Sequence, residues 1–238
     1  MIDCTVIVTS FNALEYSKLF YESYKKFTKD PGVKLLWVDN ASRDGTVEWL
    51  KKHDNDFDTI LLHQNIGAPK ARNLAVSNID TEYFSLFDND IVLTKIGWIN
   101  RLIRTFENSE DCVAVAPAIN ALKDGTRYAF IDAPDPLYER FGLHAKMIDA
   151  TFRYDEDISE YLNYYHRRLK KLPYKANIVL EGGGTVFKTD WFKKVGGYDS
   201  KITISHSGFT LQQKVNRDNG KTYVDPSVFV FHYGHATR

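Results

Sequence analysis

An α/β fold with a mostly parallel β-sheet flanked by helices is predicted for this chain. In the first half, short β-branched or apolar runs alternate with amphipathic stretches, which is typical of a parallel sheet covered by helices. The 238 residues, 43% of them hydrophobic, suffice to bury one core. We therefore expect a single domain over residues 1–238, made of one half at 1–95 and a second half at 96–238.

The elements follow in order from these runs. Strands are predicted at Thr5–Val8, Val33–Val38, Thr59–Leu62 and Glu82–Phe87, and helices at Leu14–Phe27, Ser42–Lys52 and Pro69–Val76. Alternation weakens afterwards, with a helix over Ile96–Glu107 and a strand over Val113–Ala116. A later helix, Ile158–Leu172, interleaves tyrosines with basic residues. It is either a solvated basic helix or a contact for a phosphorylated, nucleic-acid or membrane-linked partner.

Composition and charge argue against a protein that attracts polyanions through its overall charge, a disulfide-bonded protein and a protein that spans a membrane. Lysine plus arginine and aspartate plus glutamate both number 31, so no global field attracts polyanions. Cys4 and Cys112 lie in apolar stretches without metal-ligand spacing, and we interpret them as buried, reduced cysteines. No apolar run approaches the roughly 20 residues of a membrane helix, and no basic leader opens the chain. We expect a soluble, cytoplasmic protein, with peripheral membrane association left open.

Polar sequences follow all four predicted strands of the first half. They are Thr9–Asn12, Asp39–Ser42, Gln64–Gly67 and Asp88–Asp90. Turn and N-cap preferences explain any one of them. In a parallel sheet, however, the carboxyl ends of the strands meet at the edge where ligands bind. Four polar ends on one edge indicate a binding site there.

The Asp88-Asn89-Asp90 sequence is the candidate metal site. Two carboxylates two residues apart project to the same side of an extended backbone. Carboxylate oxygens favour Mg²⁺ or Mn²⁺, which neutralise charge developing on a departing diphosphate. An ordinary Asp and Asn turn is the alternative interpretation.

Five segments together resemble the family 2 glycosyltransferases, which have the GT-A fold with a Rossmann-like sheet. Val6–Asn12, Trp37–Thr46, Asn65–Asn73 and Leu86–Asp90 resemble the donor half of that family in order and spacing. Gly182–Asp199 resembles its acceptor half. The resemblance implies that residues 1–95 bind a nucleotide sugar and that residues 96–238 form the smaller, acceptor-binding part.

The resemblance also implies roles for single residues. Asp39 would accept a hydrogen bond from the base, typically uracil, and Arg72 would face the nucleotide or diphosphate. His232 would reach back to the metal or diphosphate, although a packed core histidine remains the alternative, with His235 a less favoured substitute. The implied donor-binding residues are Thr9, Phe11, Asn12, Asp39, Asn40, Gly67, Arg72, Phe87, Asp88, Asn89 and Gly183, and the implied metal ligands are Asp88, Asp90 and His232.

One departure from the family concerns the catalytic base. Inverting members carry a Glu-Asp pair whose aspartate deprotonates the acceptor, but the corresponding stretch here, Ile204–Gln212, contains no carboxylate. His206, Asp199 or Glu181 are the candidate replacements. Alternatively, the enzyme retains the anomeric configuration, or the chain is a non-catalytic sugar-nucleotide or glycan-binding protein.

The expected function is therefore an Mn²⁺- or Mg²⁺-dependent transfer of one sugar from a nucleoside diphosphate sugar, typically UDP-linked, to an acceptor hydroxyl. A lipid-linked sugar, a glycan, a protein and a nucleic acid all remain possible acceptors. A nucleotidyltransferase is disfavoured, because Thr9–Asn12 is not a Gly-rich, Arg-containing phosphate loop.

Overall fold

The computed structural model of the chain describes residues 2–121, 174–176, 179, 182–202 and 207–233. The predicted helix at Ile158–Leu172 lies outside these residues. Within them, no helix is both long enough and apolar enough to cross a membrane.

Strands and helices alternate through the first half of the chain, as predicted. The strands are β1 (Cys4–Ser10), β2 (Val33–Asp39), β3 (Asp58–Leu61), β4 (Tyr83–Asp88), β5 (Ile91–Leu93), β6 (Cys112–Ala121), β7 (Tyr174–Ala176), β8 (Gly183–Lys188) and β9 (Lys221–His232). The helices are α1 (Leu14–Phe27), α2 (Thr46–Lys51), α3 (Ala68–Ser77), α4 (Trp98–Glu107), α5 (Thr189–Lys194) and α6 (Ser207–Arg217).

All the strands among the described residues join one nine-stranded sheet. Its order is β3-β2-β1-β4-β8-β6-β9-β5, and β7 pairs with β9 beside this path. The pairs among β1 to β4 are parallel, and so is β6 with β9. Strand β8 lies antiparallel between β4 and β6, which the predicted alternation did not reveal. The sheet is thus parallel from β3 to β4 and mixed beyond β4.

Each face of the sheet has its own hydrophobic core. Because side chains alternate along a strand, Val6 and Val8 of β1 join the core that includes Trp98 of α4. Ile7 points the other way, into the core that includes Phe192 of α5. Complete burial of one large apolar side chain contributes about 1.5–3 kcal/mol, so these two cores hold the layers together.

Helix α2 begins at Thr46, so the prediction that it begins at Ser42 was wrong. Ala41 has a left-handed backbone, with φ of 70°, and the Ser42 amide donates to Oδ1 of Asp39 at 2.8 Å. These features make a loop of the segment, because an αL residue and a side-chain acceptor both compete with helix formation. The polar residues after β2 therefore lie at the sheet edge instead of in a helix.

Both cysteines are buried and unbridged, which confirms that part of the prediction. Burial raises the pKa of the Cys112 thiol to about 12, and it raises the pKa of Cys4 as well. Both side chains therefore stay protonated near neutral pH and act as small apolar packing groups.

Asn73 of α3 links that helix to the turn before α6. Its Nδ2 donates to the backbone oxygen of Tyr198 at 2.8 Å, and its Oδ1 accepts from the Tyr198 amide at 2.9 Å. Replacing Asn73 with alanine is expected to lower the free energy of unfolding by about 2–4 kcal/mol, because two backbone groups lose their partner. Urea denaturation measures the effect. Ser77→Ala on the same helix is the control, and an equal loss in both variants would contradict this role.

Candidate functional site

The register of the parallel strands brings the polar strand ends to one edge of the sheet. Ser10 at the end of β1 pairs with Asp39 at the end of β2, and Thr9 pairs with Asp88 at the end of β4. Asp39 also pairs with Leu61 of β3. The carboxyl ends of four strands therefore lie at one edge of the sheet, which is where ligands bind in sheets of this kind.

Asp39 is held rigidly at this edge. It has no exposed surface, and its Oδ2 accepts from the Ser10 hydroxyl at 3.0 Å. The indole of Trp37 in turn donates to that hydroxyl at 2.9 Å, and Oδ1 accepts from the Ser42 amide. A carboxylate has about four acceptor positions, so one hydrogen bond to each oxygen leaves part of its acceptor capacity unused.

Asn40 joins the loops that follow β2 and β3. Its Nδ2 donates to Oδ1 of Asn65 at 2.8 Å, and its Oδ1 accepts from the Ile66 amide at 2.9 Å. Oδ1 of Asn65 also accepts from the amide of Gly67, the residue that leads into α3. These bonds use both ends of the Asn40 amide, so Asn40 acts here by fixing the two loops relative to each other.

The loop after β1 has an unusual backbone. Asn12 and Ala13 are both left-handed, with φ of 60° and 63°. Oδ1 of Asn12 accepts from the Arg43 amide at 2.9 Å, while its backbone oxygen accepts from the buried side chain of Asn89 at 3.1 Å. Left-handed non-glycine residues cost about 1–3 kcal/mol each and cluster at functional sites, where surrounding bonds hold them.

Asp44 holds the start of α1 from a loop distant in the chain. Ala13 offers no capping side chain, and Oδ2 of Asp44 accepts from the Leu14 amide at 2.8 Å. Oδ1 accepts from both the amide and the hydroxyl of Thr46. Desolvation favours a higher pKa, but these hydrogen bonds outweigh it and hold the pKa of Asp44 below its usual range.

Asp44→Asn is expected to lower the free energy of unfolding at pH 7 by about 1 kcal/mol, through loss of a charged group at a helix N-terminus. Because the folded-state pKa is lowered, this contribution is complete above the unfolded-state pKa of about 4 and disappears as the pH falls through the folded value. Thermal unfolding of both proteins from pH 7 to pH 2 measures it. A difference that grows on acidification would contradict the assignment.

Asp88 and Arg72 form an ion pair at the same edge. Nη2 of Arg72 lies 2.5 Å from Oδ1 of Asp88, and the arginine side chain is only 4% exposed. The guanidinium also lies 5.9 Å from the centre of the Tyr198 ring. Behind the carboxylate, the Asp88 amide donates to the backbone oxygen of Gly182 at 2.7 Å. Asp88 is thus oriented from two sides, while a third of its side chain stays exposed.

Asp88, Asp90 and His232 form a cluster whose ligand atoms all lie within 4.8 Å of one another. Nε2 of His232 is 3.2 Å from Oδ1 of Asp90. Strand pairing explains the approach, because β9 pairs with β5 so that His232 lies opposite Ile91, next to Asp90. The Tyr233 amide then donates to the Asp90 backbone oxygen at 3.0 Å. Two carboxylates and an imidazole so arranged can bind a divalent cation.

The other predicted donor-site residues differ in how far their side chains are exposed. Phe11 is exposed at this edge, and the hydroxyl of Thr9 lies 3.5 Å from the Phe87 backbone oxygen. The side chain of Phe87 is completely buried and packs against Phe20 and Trp98, and its part in donor binding stays a prediction.

Gly183 begins β8 and pairs with Phe87, where β4 and β8 shift register. This places the backbone of Gly183 beside the strand that carries Asp88, and its role in donor binding stays a prediction.

Of the candidate bases, only Asp199 lies within the described residues. It is half-buried, and its Oδ1 accepts from the Lys201 amide at 2.9 Å, in a turn before α6. His206 and Glu181 lie outside the described residues, as does His235. The assignment of the base therefore stays a prediction.

Sequence reasoning missed the residues that support the site. Ser10, Asn65 and Trp37 were named only as members of longer segments, with no role of their own. Their donors and acceptors complete the networks around Asp39 and Asn40. The available signal was the mixture of a tryptophan N–H and hydroxyl groups in otherwise apolar strands, because buried polar groups need partners.

Solved glycosyltransferases share this fold. GalNAc-T7, crystallised with UDP, GalNAc and Mn²⁺, matches with a TM-score of 0.69 and 14% identity over 98% of this chain and 44% of that chain. The mannosyltransferase PcManGT from Pyrobaculum calidifontis, in complex with GDP-Man and Mn²⁺, matches at 0.64 and 15% over 97% and 56%. S. aureus TarS 1–349 in complex with UDP matches at 0.64 and 14% over 97% and 60%. The predicted GT-A fold is thereby confirmed.

Two curated proteins match part of the chain. Over 114 residues it is 32% identical to the teichoic acid poly(glycerol phosphate) polymerase of Staphylococcus epidermidis, covering 46% of this chain and 16% of that protein. Over 113 residues it is 28% identical to the uncharacterized glycosyltransferase YfnE of Bacillus subtilis, covering 46% of this chain and 28% of that protein. The matched segments thus span less than a third of either relative.

The glycosyl transferase family 2 model matches residues 5–196 of the chain. This match includes the strand ends that carry Asp39, Asp88 and Asp90, and it extends through the turn before Asp199. The chain belongs to glycosyl transferase family 2.

Proposed function

We propose that this protein is a metal-dependent glycosyltransferase that moves one sugar from a nucleoside diphosphate sugar, UDP-linked, to an acceptor hydroxyl. The observation that carries the proposal is the cluster of Asp88, Asp90 and His232 at the ligand-binding edge of the sheet. Family membership supports the reaction class.

The chemistry of the three side chains fits Mn²⁺. Carboxylates suit both Mg²⁺ and Mn²⁺, and the imidazole of His232 favours the transition metal over Mg²⁺. Three protein ligands leave coordination positions for diphosphate oxygens. A divalent cation bound there would supply the positive charge that stabilises the departing nucleoside diphosphate.

In this proposal, the protein groups around the cluster bind the nucleoside and position the charges beside the diphosphate. Asp39 accepts a hydrogen bond from the base, for which its rigid position and remaining acceptor capacity are suited. Arg72 orients Asp88 through their ion pair and adds positive charge beside the diphosphate. The exposed ring of Phe11 provides a surface for the nucleoside.

UDP in complexes of two structural neighbours is consistent with a uridine donor, and GDP-Man in a third keeps guanosine as the alternative.

Because the usual Glu-Asp pair is missing, two stereochemical routes remain open in this proposal. In the inverting route, His206, Asp199 or Glu181 takes the proton of the acceptor hydroxyl. In the retaining route, the departing diphosphate takes it, and no protein base is needed. A non-catalytic sugar-nucleotide or glycan-binding protein is the second candidate function, favoured by the absence of a carboxylate in Ile204–Gln212.

A donor panel tests the proposal. UDP-, GDP- and TDP-sugars are each incubated with the protein in Mn²⁺ and in a chelator, and binding and nucleoside diphosphate release are measured. We expect Mn²⁺-dependent binding and slow hydrolysis of a UDP-sugar. Binding without any release would support the sugar-nucleotide-binding protein, and no binding by any donor would overturn the transferase and that alternative together.

A further inference from the structure

A cavity lies between α4 and the first half of β9. Its volume is about 450 Å³, and its lining consists of Arg101, Arg104, Thr105, Asn108, Ser109, Tyr223, Asp225 and Ser227. Every one of these side chains is polar. Carbon atoms of these side chains form most of the lining surface, and their polar tips supply the few hydrogen-bonding groups that fix the orientation of a ligand at small-molecule sites.

The cavity is separate from the site at the carboxyl ends of the strands. It uses residues 223–227 of β9, whereas His232 ends the same strand at the metal cluster. At about 3.3 Å per residue, the two places lie roughly 15 to 30 Å apart along the strand. The donor site therefore does not account for this cavity.

Positive charge dominates the cavity lining. Arg101 and Arg104 are exposed and one helical turn apart, which places both guanidinium groups on one face of α4. Lys95 lies beside them, and its Nζ donates to the Ser227 backbone oxygen at 3.0 Å. Desolvation and the charge of Arg101 lower the pKa of Lys95, while Asp225 opposes them. These cations face a single lining carboxylate, that of Asp225.

Guanidinium groups match phosphate oxygens in both geometry and charge. Opposite them, Asp225 is 95% buried, and its Oδ1 accepts from the Ser227 amide at 2.9 Å. The Tyr223 hydroxyl donates to Oδ1 of Asp111 at 3.3 Å, which holds the ring at the cavity. A carboxylate with spare acceptor positions, next to an aromatic ring and hydroxyl groups, suits the hydroxyls of a sugar.

We infer that this cavity is a binding site for a phosphorylated sugar, with Arg101 and Arg104 on the phosphate and Asp225 on sugar hydroxyls. The site is distinct from the donor edge, and the inference does not rest on the proposed transferase activity.

Glucose 6-phosphate is the probe, with inorganic phosphate and glucose as its two fragments. The full chain is titrated with each in a chelator, which removes metal-dependent binding at the donor edge, and amide chemical shifts are followed by NMR. We expect glucose 6-phosphate to shift residues of α4 and residues 223–227, and to bind about tenfold more tightly than either fragment, since both groups contribute. Equal affinity for inorganic phosphate, or shifts confined to the donor edge, would overturn the inference.

Two variants test the assigned residues. The double variant Arg101→Gln/Arg104→Gln is expected to weaken glucose 6-phosphate binding by about tenfold or more through loss of charge-assisted hydrogen bonds. Arg217→Gln, an exposed arginine on α6, is the matched control and should bind unchanged. Asp225→Asn is expected to reduce the preference for glucose 6-phosphate over inorganic phosphate. Unchanged binding in the folded double variant, verified by thermal unfolding, would contradict the site.

Discussion

Replacing Asp90 with alanine is expected to abolish Mn²⁺-dependent donor hydrolysis and to weaken Mn²⁺ binding. The Asp90 side chain is only 8% exposed and lies 3.2 Å from His232, so no other carboxylate takes its position easily. A catalytic metal contributes several kcal/mol to the stabilisation of leaving-group charge, so we expect kcat/KM to fall by about a thousandfold. Release of nucleoside diphosphate and Mn²⁺ titration by calorimetry measure the two effects.

The matched control for this experiment is Asp54→Asn, which alters an exposed carboxylate in the turn after α2. Its hydrolysis rate and Mn²⁺ affinity should equal those of the unmodified protein. Full Mn²⁺-dependent activity in folded Asp90→Ala would show that the cluster is not the metal site. His232→Ala adds a second test, because loss of one ligand from three should weaken Mn²⁺ binding while leaving Asp88 and Asp90 in place.

Gly182→Ala is expected to disrupt the orientation of Asp88. A Cβ at Gly182 would lie 2.1 Å from Oδ2 of Asp88, so the carboxylate has to move. Gly182 also has φ of 67°, a conformation that costs other residues about 1–2 kcal/mol. We therefore expect two effects, a loss of stability and a separate loss of Mn²⁺ and donor binding.

Gly97→Ala separates these two effects. Gly97 has φ of 71°, almost the same as Gly182, but nothing lies within 4 Å of an added Cβ. Both variants should therefore lose similar stability in thermal unfolding, while only Gly182→Ala loses binding of Mn²⁺ and of the donor. Equal binding by the two variants would contradict the role given to Gly182, namely to leave space for Asp88.

Local patterns predicted much of the first half of the fold. Helix α1 spans Leu14–Phe27, the range predicted from the alternating runs of the sequence. The strand ends were also placed at one edge, because short alternating runs have few arrangements other than a parallel sheet. The prediction was less accurate at Ser42, where hydrogen bonds between loops replaced the expected helix start.

The residue types of the candidate site could also be predicted from the sequence alone. The sequence determined that Asp88 and Asp90 follow a buried strand, because apolar runs and the spacing of two residues are local properties. It also predicted the polar ends that carry Asp39 and Asn40. The hydrogen-bond partners of Asp39 and Asn40 could not be predicted from the sequence, because Ser10 and Asn65 come from other segments of the chain and contact them only in the folded protein.

How distant segments meet depends on the complete fold. Antiparallel β8 enters between β4 and β6, which brings Gly182 behind Asp88, and the pairing of β5 with β9 brings His232 to Asp90. The position of Arg72 on its helix is compatible with a side chain that faces either solvent or a ligand. In the folded protein it forms an ion pair with Asp88. Periodicity reports which face of an element is apolar, whereas strand order and register depend on the whole core. For that reason the sequence determined the components of the site, and the tertiary structure decided their contacts.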